Sequence, residues 1–143
     1  MSGPFSSIAW LLVCPLAYLL AGGTKFLANS ARARRLAFDQ IGLGGFPSTH
    51  TAIVSAPAWL IALKQGIGTP VFAVAMGLVM IVVIDAMDLR RKVGRINRLL
   101  KEEFSKSPAA QGLRERVGHT PLEILAGLAV GGVAALLAAT IAI

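Results

Sequence analysis

Long apolar runs separated by short polar stretches make up most of this chain, and four of them approach the length needed to cross a bilayer as helices. The first covers about residues 5–20 and continues through Ala21-Gly22-Gly23 to Lys25. The second begins at Pro47 and reaches about residue 63. The third covers about residues 70–84 and continues as helix through a basic stretch to about residue 100. The fourth covers residues 121–143. Proline at the start of spans two, three and four suits a first helical turn, where its missing N–H costs nothing. The first run has no basic leader and ends on Lys25, so it reads as a span rather than a signal peptide. The pattern predicts a single all-α integral membrane domain over residues 1–143, a bundle of about four transmembrane helices.

Composition supports that reading. Hydrophobic residues make up 55% of the 143 positions and charged residues 15%, with a mean hydropathy of +0.70. A soluble domain of this size needs more polar surface. The single cysteine, Cys14, lies inside an apolar run, which excludes a disulfide framework or a thiolate metal site. A net charge of +7 raises the question of nucleic acid. Aromatic residues are sparse and no basic helix is interleaved with stacking side chains, so no nucleic-acid partner is expected.

The basic residues cluster between spans, where they face lipid head groups. The first connection carries Lys25, Arg32, Arg34 and Arg35. The third carries Arg90, Arg91, Lys92, Arg95, Arg98, Lys101, Lys106, Arg114 and Arg116, and the second only Lys64. Positive connections stay in the cytoplasm. Connections one and three are therefore expected inside and both termini outside, in a plasma membrane of the bacterial inner-membrane type. Alternating spans then bring Lys25, His50, Arg90 with Arg91, and His119 to one cytoplasmic face.

Both histidines sit in short polar motifs that open apolar segments: Gly44-Gly45-Phe46-Pro47-Ser48-Thr49-His50 and Gly118-His119-Thr120-Pro121-Leu122-Glu123. His119 and Glu123 are four apart at the start of a helix and share a face. A carboxylate there can accept from one ring nitrogen and leave the other free as a nucleophile. In the first motif, the backbone N–H groups of the turn at Gly45 and the hydroxyls of Ser48 and Thr49 can hold phosphate oxygens. Capping alone accounts for Ser48 but gives no reason for His50, which is placed to protonate a leaving alkoxide. Lys25, Arg90 and Arg91 can stabilise a transferring phosphoryl group. Asp85, near the end of span three, can hold a lysine or arginine in place. The stripe His119, Glu123, Gly127, Gly131 continues at intervals of four. Small residues at that spacing permit close helix approach, within the bundle or in a homo-oligomer.

These motifs resemble those of the divergent branch of the type 2 phosphatidic acid phosphatase family, relatives of the vanadium-dependent haloperoxidases. That family carries Gly-Gly-Met-Pro-Ser-Ser-His, then Asp-x-x-Gly-Val-Arg-Arg, then Gly-His-x-Pro-x-Glu-Val. Residues 44–50, 85–91 and 118–124 follow the same order and spacing. The resemblance implies a lipid phosphatase that needs no metal or other cofactor. It implies His119 as the nucleophile that becomes a phosphohistidine, Glu123 as its orienter, His50 as the acid, and Lys25 with Arg90 or Arg91 as phosphate clamps. Asp88 stands where the divergent motif has glycine, and Thr49 where the broader superfamily has it. Leu113 occupies the place of an arginine six residues before the nucleophile, with Arg114 one position later. Gly22 takes the place of a glutamine shortly before the lysine.

The expected substrate is a lipid phosphate monoester or diphosphate in the cytoplasmic leaflet. Two other classes fit parts of the pattern. Asp85-x-x-Asp88 beside arginines suggests metal-dependent CDP-alcohol phosphotransfer, although no aspartate follows Asp88. A protein that binds or translocates lipid phosphates without turnover would also keep the basic cluster.

Overall fold

A computed structural model describes residues 4–36, 45–115 and 117–141, except for the side chains of residues 4–7 and 32. Gly44, Arg116 and the last two positions of the expected fourth span lie outside the described residues. Among these residues the regular structure is helical: α1 (Pro4–Ala33), α2 (Thr49–Gln65), α3 (Pro70–Ile84), a π-turn (Asp85–Leu89), α4 (Arg90–Glu103), the short α5 (Pro108–Gln111) and α6 (Pro121–Ile141).

Helix boundaries follow local chemistry. The first helix continues two turns past Lys25, because nothing after Gly22 and Gly23 breaks it before Ala33. Ser48 is the N-cap of α2 and its hydroxyl accepts the Thr51 N–H, so Pro47 precedes the cap instead of opening the helix. Gly66, at φ +88°, ends α2. Thr69 caps α3 and Pro70 opens it, as the sequence predicts. From Pro70 the chain remains helical to Glu103.

Among the described residues, three helical stretches are long and apolar enough to cross a membrane: Ile8–Ala31, Pro70–Glu103 and Pro121–Ile141. The expected second span is the 17-residue α2, about 25 Å long and at the short end for a span. It packs against α1, α3 and α6. Its residues Thr51, Ala52, Ser55, Ala56, Ala58, Leu60 and Ile61 are buried. The α3 helix is the opposite case, with Val79 its one buried residue and Val74, Leu78, Met80 and Ile81 exposed. Lipid is the solvent that tolerates such a surface.

The core is built mostly of alanine. Ala9, Val13 and Ala17 of α1 meet Ala56 and Leu60 of α2 and Ala134, Ala135 and Ala138 of α6. In lipid no hydrophobic effect drives helices together, so small side chains that permit close dispersion contact do the work. Gly127 and Gly131 extend this logic. A Cβ on Gly127 would lie 2.6 Å from the Ser48 carbonyl oxygen, and one on Gly131 would collide with the Ser55 hydroxyl. That face is filled by α2 of the same chain, the within-bundle alternative for Gly127 and Gly131.

Candidate functional site

Two backbone hydrogen bonds join the three motifs. Ser48 N–H donates to the Glu123 carbonyl at 2.9 Å, which ties the start of α2 to the first turn of α6. His119 N–H donates to the Ala86 carbonyl at 3.1 Å, which ties the second histidine motif to the π-turn. Gly118 makes the latter contact possible. Its φ is +95°, and a Cβ there would lie 2.9 Å from both the Ala86 oxygen and Arg91 Cγ. Only glycine meets both demands without strain.

Local rules place each side chain on this frame. Thr120, not His119, caps α6. The Glu123 N–H donates to the Thr120 hydroxyl at 3.3 Å, and the Thr120 N–H donates to Glu123 Oε2 at 2.9 Å, a reciprocal capping box. The same carboxylate oxygen lies 3.2 Å from His119 Nδ1. With the ring as the Nδ1–H tautomer, Nδ1 donates to the carboxylate and Nε2 keeps its lone pair. His119 is 7% exposed.

The π-turn supplies the cationic arm. Its wider turn brings residues five apart into register, and the Arg90 N–H donates to the Asp85 carbonyl. Arg90 Nε donates to Asp85 Oδ2 at 2.6 Å, so the carboxylate fixes the guanidinium. Asp88 is separately engaged, by Lys92 at 2.8 Å on an exposed surface. Replacing Asp85 by asparagine is expected to raise KM for a phosphate substrate about two- to fivefold. Asp88→Ala is expected to leave KM unchanged and to alter stability by less than about 0.5 kcal/mol. Parallel kinetics and thermal unfolding check the pair.

Lys25, half-buried on α1, completes the group. The charges of Lys25 and Arg90 act on both histidines, that of Asp85 on His50, and that of Glu123 on Lys25 and His119. Lys25, His50, Asp85, Arg90, His119 and Glu123 thus gather at one end of the bundle from four parts of the chain. Burial holds the His119 imidazole below its ordinary pKa, and Lys25 and Arg90 push the same way, against the hydrogen bond and charge of Glu123. That favours a neutral ring.

The other expected residues divide. His50 is exposed at the second position of α2, and Thr49 is half-buried beside it. Gly45 sits at φ +137°, where glycine is favoured. Ser48 is fully buried, and its hydroxyl pairs with Thr51 Oγ1 at 2.9 Å while capping the helix, so it belongs to the frame. Arg91 is exposed and runs its stem past Gly118, which singles out Arg90 as the arginine beside the histidines. Arg114 is also exposed, and its carbonyl accepts from Asn97 Nδ2 at 2.6 Å. Glu115 next to it bridges Arg98 and Lys101, which fastens this loop to α4. Among the described residues, no group of three or more His, Cys, Asp or Glu side chains is placed to hold a metal ion.

Residues 7–134 match the model of the divergent PAP2 family. The chain belongs to that family. It is also 32% identical over 100 residues to the uncharacterized membrane protein YuiD of Bacillus subtilis (strain 168), a match covering 59% of this chain and 63% of the relative. The chain thus spans less than two thirds of that relative's length. No solved structure matches it. The matched segment of this divergent PAP2 protein runs from early α1 into α6 and includes the three motifs that form the site. It is a multi-pass membrane protein.

Proposed function

We propose that the protein is a lipid phosphatase that hydrolyses a phosphate monoester or diphosphate at the cytoplasmic leaflet through a phosphohistidine. The observation that carries this reading is the His119–Glu123 pair. One ring nitrogen faces a carboxylate, the other is left for attack, and the charges of Lys25 and Arg90 act on the ring. The positive first and third connections favour the cytoplasmic side.

In the first step His119 Nε2 attacks phosphorus and forms a P–N bond as the P–O bond to the lipid breaks. His50 gives its proton to the departing oxygen. Lys25 and Arg90 stabilise charge on the equatorial oxygens, where phosphoryl transfer gains most from positioning and electrostatics. In the second step water attacks phosphorus and the P–N bond breaks. His50 takes the water proton, and inorganic phosphate leaves.

The test is phosphate release from a panel of lipid phosphates and diphosphates in detergent with EDTA. Turnover that persists in chelator supports the reading. Binding of phosphate lipids without turnover on any of them would replace it with a binding or translocating role.

The pH profile gives a second readout. Attack needs an unprotonated Nε2, so kcat/KM falls on acidification through the His119 pKa. Burial lowers that pKa, so the acidic limb is expected below the ordinary histidine value of about 6.5. Glu123→Gln removes a contribution that raises the pKa, so the limb should move to still lower pH while kcat drops.

A further inference from the structure

Along α1 the bundle-facing edge follows a step of four. Ala9, Val13, Ala17 and Ala21 are exposed by 1% or less, and the next two positions are Lys25 and Asn29. The edge changes from methyl groups to polar groups where the candidate site begins. Asn29 lies one turn beyond Lys25 on the same face and is only 9% exposed. Its amide makes no hydrogen bond to a described residue, and no fully enclosed side-chain nitrogen or oxygen among the described residues lacks a partner. The amide therefore keeps what little accessible surface the residue has.

Packing does not call for asparagine at this position, since alanine serves at three of the four apolar steps of this edge. Helix propensity disfavours it. A polar side chain at such a place in a membrane protein is held either by a neighbouring helix or by a ligand. No described neighbour holds this one.

We infer that Asn29 is a substrate-binding residue whose side-chain N–H donates to a non-bridging oxygen of the phosphoryl group beside Lys25. The inference rests on the phosphatase reading for the identity of the anion. A neutral amide there adds direction to the Lys25 charge without placing another cation beside it.

The test uses the full chain in detergent with EDTA. It measures inorganic phosphate binding by calorimetry, turnover of phosphatidate in mixed micelles, and thermal unfolding. Asn29→Leu keeps the γ-branched shape and removes the amide. The expected result is a phosphate Kd and a lipid KM raised about tenfold or more, a smaller change in kcat, and a Tm equal to or above wild type. Asn29→Ser should recover part of the affinity. Wild-type phosphate affinity and KM in Asn29→Leu would overturn the assignment. So would a lowered Tm with wild-type affinity in the folded fraction, which marks a structural residue. If the wild type binds phosphate but hydrolyses no lipid, the phosphatase reading falls and the binding comparison still decides Asn29. If the wild type neither binds phosphate nor hydrolyses lipid, both fall.

Discussion

His119→Ala is expected to lower phosphate release by about 10³-fold or more, because it removes the atom that forms the covalent bond to phosphorus. The fold should survive. The His119 backbone N–H still reaches Ala86, and Glu123 remains fixed by the Thr120 N–H. The loss in stability is expected to be about 1–2 kcal/mol, from one hydrogen bond and a small cavity. Brief incubation of wild type with substrate, followed by alkaline quenching, should trap a base-stable, acid-labile phosphoprotein. The variant should yield none. A variant that retains turnover, or a wild type with no such adduct, would exclude the phosphohistidine route.

Gly131→Leu is expected to give the largest stability loss, about 3 kcal/mol or more. The first added carbon collides with the Ser55 hydroxyl and also lies 2.8 Å from the Ala52 carbonyl oxygen and 3.1 Å from the Ala56 nitrogen. The last two are backbone atoms of α2 and cannot rotate away. The α2–α6 pair must widen, which pulls the Ser48–Glu123 hydrogen bond apart and separates His50 from His119. Activity should fall together with Tm in detergent unfolding measurements. Gly132→Ala is the control, since its Cβ would meet the Trp59 ring at an ordinary 3.6 Å. That variant should stay within about 1 kcal/mol of wild type.

The pairing of His119 with Glu123 was legible in the sequence because its signal is short-range. The four-residue interval puts Glu123 on the His119 side of the first turn, whereas the Thr120–Glu123 capping box shows only in the structure. The span of α3 was equally readable from an unbroken apolar run. Other features were not. The choice of Arg90 over Arg91 depends on the π-turn, and an Asp-x-x-x-x-Arg interval does not announce one. Ser48 looked like a phosphate ligand because nothing local reveals that Thr51 and α6 enclose it. Asn29 carried no motif at all, and only its burial set it apart.

Hydropathy and charge order by themselves determined that the chain is helical, spans a membrane and carries its two histidines and its basic clusters near helix ends. Those properties depend on transfer free energy and on contacts within one helical turn, both of which are written in consecutive residues. The tertiary structure decided which of those groups meet. That outcome depends on where Gly118, Gly127 and Gly131 let backbones approach and on which carbonyl each cap can reach. Such distances between segments tens of residues apart are set by packing, and no local pattern encodes them.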